Sequence, residues 1–216
     1  MSKLTEVDPY QEFIRELFHS DDEELSRLQA EAKSEGLPSI SIGPEQGKFL
    51  QLLVQLTGAR KALEIGVLGG YSGAWIARAL PEGGKLIGLE LEQKHADFAC
   101  RQWQRMGLAD KIEVRVGPAL DTLPGLADEA PFDLVFIDAD KNNYPAYLDY
   151  SLRYSRPGTV IVGDNVSMGG SLVDPDRQDS DWVQGMRKFA SALSQNGRLA
   201  STVVPYSDGL AMAVVK

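Results

Sequence analysis

Residues 61–91, KALEIGVLGGYSGAWIARALPEGGKLIGLEL, read as a strand, a glycine turn, a helix and a second strand. The apolar run KALEIG (61–66) is short, Trp75, Ile76, Ala79 and Leu80 recur at helical spacing, and PEGG turns the chain into LIGLEL (86–91). Short apolar strands alternating with helices make βαβ units, hence a parallel sheet covered on both faces. The pattern continues downstream. A helix through Phe98, Ala99, Trp103 and Met106 stops at Gly107, and KIEVRV (111–116), FDLVFID (132–138) and TVIVGD (159–164) are further strands separated by helical stretches. Upstream, Pro44 and Glu45 open a helix whose apolar stripe is Phe49, Leu50, Leu53 and Leu56, stopped at Gly58. The end of the chain differs. LASTVV (199–204) and LAMAVV (210–215) are joined only by PYSDG, too short for a crossover, so they form an antiparallel hairpin. The expected fold is α/β, with a seven-stranded, mostly parallel sheet whose last strand is reversed.

The 216 residues fit one domain, residues 40–216, preceded by a helical appendage over residues 1–39. In that appendage Pro9 to Lys33 is mostly polar, with Phe13, Ile14, Leu17 and Phe18 and then Leu25 and Leu28 at helical spacing. Asp21-Asp22-Glu23-Glu24 suits a helix N-terminus. Lys and Arg number 22 against 31 Asp and Glu, a net charge of −9, which disfavours nucleic acid because phosphate contacts need basic side chains. One cysteine, Cys100, excludes an intrachain disulfide or a thiolate cluster, and two histidines, His19 and His95, leave little for a zinc site or a Ser-His-Asp triad. No basic start precedes an apolar run and no stretch approaches the length of a bilayer span, so a soluble cytoplasmic protein is expected, with no membrane partner.

Ligands of open α/β sheets bind beyond the carboxyl ends of the strands. The first strand ends at Glu64-Ile65-Gly66 and runs into a turn with glycines at 66, 69, 70 and 73, which is not GxGxxG. Glu64 would repel a pyrophosphate but suits a ligand with ammonium or sulfonium charge, such as S-adenosylmethionine; Ser72 could then bond its carboxylate and Glu90 its ribose hydroxyls. The alternative is that Glu64 and Glu90 are loop-edge charges and the glycines only permit a tight turn. Asp138, Asp164 and Asn165 lie at neighbouring strand ends with no His or Cys nearby, an oxygen set suited to Mg²⁺, unless they merely cap the helices that follow. Lys141 would serve as a general base where its surroundings favour the neutral amine; otherwise it is a surface lysine. His95 is expected to face solvent, Cys100 to be a small core residue, and Trp75 and Trp103 to lie in the core. Tyr10 and Phe13 would cover a substrate mouth or a dimer interface, or pack in the core.

At these residues the sequence resembles the cation-dependent class I O-methyltransferases, which include catechol and caffeoyl-CoA O-methyltransferases and bacterial relatives. SIGPEQGKFLQLL (41–53), LEIGVLGGYS (63–72), GPAL (117–120), FDLVFIDADKNNYPAYL (132–148), VGDNV (162–166) and SDGLA (207–211) match its motif blocks in order, from about Ile40 to the C-terminus. The resemblance implies a Rossmann-like methyltransferase fold. It implies cofactor contacts at Ile42, Glu64, Gly66, Val67, Ser72, Glu90, Ala119, Asp138 and Asp140, a metal (Mg²⁺, or Mn²⁺ or Ca²⁺) at Asp138, Asp164 and Asn165, and catalytic roles for Lys141, as the base, and Asp138. The loop Val166-Ser167-Met168-Gly169-Gly170 lacks the Trp-Asn of plant caffeoyl-CoA enzymes, which counts against a CoA ester. The expected activity is methyl transfer from S-adenosylmethionine to one hydroxyl of a catechol-like small molecule, by a homodimer. The runner-up is a tRNA methyltransferase acting on a hydroxylated uridine. A nicotinamide-dependent dehydrogenase would need the missing GxGxxG, and a scaffold would not need Asp138, Asp164, Asn165 and Lys141 together.

Overall fold

The fold is that of a computed structural model, which describes Phe13, Leu17, Phe18 and residues 22–216. Pro9, Tyr10, Ile14, His19 and Asp21 lie outside the described residues. Seven strands, β1 (Lys61–Ile65), β2 (Lys85–Glu90), β3 (Ile112–Val116), β4 (Phe132–Ile137), β5 (Ser155–Gly163), β6 (Leu199–Val204) and β7 (Leu210–Val215), form one sheet in the order β3-β2-β1-β4-β5-β7-β6. Pairing is parallel from β3 through to β5, and β7 runs antiparallel to both β5 and β6. Seven α-helices accompany them among the described residues: α1 (Glu23–Ser34), α2 (Pro44–Thr57), α3 (Tyr71–Ala79), α4 (Gln93–Arg105), α5 (Ala119–Thr122), α6 (Tyr144–Arg153) and α7 (Asp181–Gln195). None is long and apolar enough to cross a membrane.

The central strands are buried on both faces, and their alternation splits the core in two. Ala62, Leu134, Phe136 and Val162 face α1 to α4, where Leu25, Leu50, Phe98 and Trp103 are buried. Leu63, Val135, Ile137 and Ile161 face the layer that holds Tyr144, Tyr147, Met186 and Phe189 of α6 and α7. Strand order reverses between β1 and β4, and the register pairs Ile65 with both Leu89 and Ile137, and Ile137 with Gly163. The strand ends are therefore level at the switch point, so Gly66, Asp138 and Asp164 leave the sheet side by side.

Four local expectations change. On α2 the buried residues are Gln46, Gly47, Leu50, Leu53 and Val54, while Leu56 is 81% exposed. The stripe is rotated because a Cβ at Gly47 would stand 2.2 Å from the Trp75 ring, so the helix packs through a residue with no side chain. β5 begins at Ser155, before Pro157-Gly158, with a register shift against β4 between Phe132 and Leu134. Cys100 is exposed, because it falls just beyond the stripe formed on α4 by Ala96, Ala99 and Trp103. His95 is largely covered, its Nδ1 lying 3.3 Å from Glu90 Oε1.

Candidate active site

The turn after β1 is built by close backbone approach. Gly66 has φ +97°, and a Cβ there would lie 2.0 Å from the Asp138 carbonyl oxygen. Leu68 takes the left-handed region (φ 49°), a conformation that costs a non-glycine residue roughly 1–2 kcal/mol. Glu90 offsets that cost: its Oε2 accepts the N–H groups of Val67 at 3.1 Å and Leu68 at 2.6 Å. Its Oε1 accepts the Glu92 N–H at 2.9 Å. Glu90 thus clamps the turn from the end of β2. Gly66→Ala should therefore destabilise the fold by about 2–3 kcal/mol, roughly 5–10 °C in Tm for a domain of this size; a melting curve matching the wild type would show that the turn relaxes freely.

Glu64 is fully buried beneath this turn. Its Oε1 accepts the Ser72 hydroxyl, and its Oε2 has no hydrogen-bond partner among the described residues. Burial above all, with the charges of Asp138 and Glu90 adding to it and Ser72 opposing, pushes its carboxyl up to about 8. A cleft of about 550 Å³ opens above, lined by Gly66, Glu90, Ala119, Asp138 and Asp140. Ile42, Glu64, Val67 and Ser72 are not in its lining; they are buried. Among the described residues the lining holds, with Asp121, four carboxylates and no Lys, Arg or His, an environment for a cationic ligand and not for a pyrophosphate. Two partners of Asp140 were not read from sequence: the Tyr147 hydroxyl and Asn143 Nδ2 each donate to one of its oxygens at 2.5 Å.

On the other side of β4, Lys141 is 8% exposed and so is no surface lysine. Its Nζ donates to Asp138 Oδ1 at 3.0 Å and to the Tyr144 hydroxyl at 2.7 Å, and sits 4.7 Å from the Tyr144 ring centroid. That hydroxyl lies 3.0 Å from the carbonyl of Ile137 and 3.1 Å from that of Asp164, so it has acceptors for its own proton and offers Lys141 a lone pair. Asp164 is buried, and burial first, then the charge of Asp138, raises its carboxyl to about 6. Its Oδ1 accepts the Asn165 N–H at 2.8 Å and Gln46 Nε2 at 2.9 Å. Asn165 takes φ 59°, which Asn tolerates better than most residues. Asp138, Asp164 and Asn165 cap no helix here. Among the described residues no three His, Cys, Asp or Glu gather as a metal cluster; the set is two carboxylates and an amide, all oxygen donors. Lys141 and Asn165 line a second cavity, of about 630 Å³, walled by Met168, Trp182 and Val183. Gln46 is the residue that sequence reasoning missed, although its place three residues after Gly43 is a capping-box position.

The model of a family described as O-methyltransferase matches residues 15–216. The chain belongs to the O-methyltransferase family. A catechol O-methyltransferase of Niastella koreensis is 44% identical over 211 residues, covering 94% of this chain and 95% of the relative. Among solved structures, the O-methyltransferase from Bacillus cereus in complex with SAH superposes with a TM-score of 0.91 at 43% identity, covering 96% of this chain and 97% of that one. The O-methyltransferase TomG from Streptomyces achromogenes, in complex with SAM and involved in tomaymycin synthesis, gives a TM-score of 0.92 at 38% identity and covers all of both chains. The chain is thus an enzyme, an O-methyltransferase with the Rossmann-like fold of those structures. In this O-methyltransferase the hydrogen-bonded pair Asp138–Lys141 separates the two cavities, since Asp138 lines one and Lys141 the other.

Proposed function

We propose that this O-methyltransferase moves the methyl group of S-adenosylmethionine to one hydroxyl of a vicinal aromatic diol, with a divalent cation, Mg²⁺ or failing that Mn²⁺ or Ca²⁺, held by Asp138, Asp164 and Asn165. The observation that carries this reading is the meeting of an acidic cleft and a second cavity, with Trp182 in its wall, at Asp138 and Lys141. S-adenosylmethionine brings a methyl group on a sulfonium together with an ammonium, charges that the carboxylate-lined cleft suits, and relatives were captured with SAM and SAH. In this reading Gly66, Ala119, Asp138 and Asp140 line the cofactor's cleft, Ile42, Glu64, Val67 and Ser72 form the buried layer of the cofactor site behind them, and Glu90 accepts from the ribose.

The cation's fit rests on the donor set: two carboxylates close enough for the charge of one to raise the other, and an amide oxygen. When bound, a divalent cation would take both oxygens of a vicinal diol and lower a phenolic pKa from about 10. Lys141, held by Asp138 and Tyr144, receives the hydroxyl proton at Nζ. Trp182 and Val183, in the wall of the second cavity, would flank the acceptor ring. Catechols should therefore be methylated with little activity on monophenols lacking one hydroxyl, because a single oxygen leaves the acceptor free to rotate. Purified enzyme, Mg²⁺ and S-adenosylmethionine suffice for the comparison; equal kcat/KM would refute diol recognition. The relative named for catechol favours this acceptor over a tRNA uridine. The reading includes a cytoplasmic homodimer, and sedimentation of the purified enzyme tests the dimer.

A further inference from the structure

We infer that Gln46 is the positioning residue of the cation site, the side chain that turns Asp164 so that one of its oxygens is left for the metal. The inference rests on the metal reading given above. Gln46 comes from α2, 118 residues before Asp164 in the chain, yet it is 6% exposed and its Nε2 stands 2.9 Å from Asp164 Oδ1. The orientation of its amide follows from its neighbours. A carboxylate oxygen can only accept, so the NH₂ end faces Asp164, while the Oε1 end accepts the backbone N–H of Gly43 at 3.3 Å. Together with the Asn165 N–H at 2.8 Å, this gives Oδ1 two donors. No hydrogen bond to Oδ2 occurs among the described residues, so Oδ2 is the oxygen open to a cation.

Gln46 has little structural reason to be polar. It shares the buried face of α2 with Leu50, Leu53 and Val54, where an apolar residue would pack without desolvating an amide. Helix capping explains only its Oε1. Its Nε2 is explained by Asp164, and outer partners that orient a ligating carboxylate commonly tune metal affinity 10- to 100-fold. The contact also ties Asp164 to the segment entering α2, where Ile42 is buried and Ile40 lines the acidic cleft.

The test is Mn²⁺ binding by calorimetry and electron paramagnetic resonance on the wild-type enzyme, Gln46→Met and Gln46→Asn. Methionine keeps the volume and removes the donor; asparagine keeps the amide but withdraws it by one methylene, and it serves if the first variant folds poorly. Either folded variant should bind Mn²⁺ about 10- to 100-fold more weakly, with S-adenosylmethionine affinity close to wild type and metal-free Tm lowered only as far as the weakened Gly43 cap requires. A role confined to packing or capping would instead lower Tm and leave Mn²⁺ affinity alone, and that result overturns the inference. On the wild-type enzyme itself, the Gln46 side-chain amide resonances should shift when Mg²⁺ is added. Wild-type enzyme that binds neither ion overturns the metal reading, and this inference with it; tight binding by wild type and variants alike overturns the role of Gln46 alone.

Discussion

Replacing Lys141 by alanine is expected to slow methyl transfer by about 10²- to 10⁴-fold, the range for a lost general base, while calorimetric affinity for S-adenosylmethionine stays near wild type. The amine is buried but lines the second cavity, so it can meet an acceptor hydroxyl there. As the neutral amine that a base must be, Lys141 has two N–H groups, matched by Asp138 and the Tyr144 hydroxyl, and its lone pair is left for the acceptor's proton. Lys141→Arg separates the two roles the side chain could have. Arginine retains a positive charge but cannot act as a base at any pH the fold survives, so it should be about as slow as alanine. Recovery of activity in the arginine variant would mean that the position needs charge and not proton transfer. Tyr144→Phe should give a smaller loss in kcat than either, since the ring contact remains and only the hydroxyl that aims Nζ is removed.

The strands were legible because their chemistry is local. Runs such as LIGLEL and FDLVFID suit strands buried on both faces, and PYSDG is too short for anything but a hairpin, so the seven strands and the reversal at β7 followed, whereas the strand order did not. The positions of Asp138, Asp164 and Asn165 were legible for the same reason: Asp138 directly follows β4 and Asp164-Asn165 follow β5, which fixes where they emerge. The helix faces were harder. On α2 the apolar letters pointed to Leu56, whereas the buried face runs through Gln46 and Gly47, one chosen for what it holds and the other for having nothing to collide with Trp75. Apolar periodicity cannot register either choice. It also could not show that Tyr144 and Tyr147 of α6 turn their hydroxyls to Lys141 and Asp140. Nor could it show that Glu90, expected at the ribose hydroxyls of a cofactor, also clamps the backbone of the turn after β1.

Stripping divalent cations with a chelator should reduce turnover to background, and Mg²⁺ or Mn²⁺ should restore it, with S-adenosylmethionine still binding in the stripped protein. The pH dependence gives this prediction a sign. Asp164 must be ionised to act as a ligand, so protons compete with the cation. Its carboxyl is raised from an ordinary 3.8 to about 6, so cation affinity should climb as pH rises towards about 6 and level off above it. Stability of the stripped protein should move the opposite way. A group whose native pKa lies above its unfolded value adds stability at low pH, and that contribution is lost as pH rises from 3.8 through about 6. Glu64 adds a fall of the same sign that extends towards pH 8, so the measurement must be a difference against Asp164→Asn. Between pH 4 and 7 the stripped wild-type enzyme should lose Tm relative to that variant, and saturating Mn²⁺ should abolish the loss, since binding to the native state favours the ionised carboxylate. Asp164→Asn should keep only the slope that Glu64 contributes and should lose most of the cation affinity. Full turnover in excess chelator, or a Tm difference unmoved by Mn²⁺, would mean that Asp138, Asp164 and Asn165 hold no cation and that the diol is oriented by the protein alone.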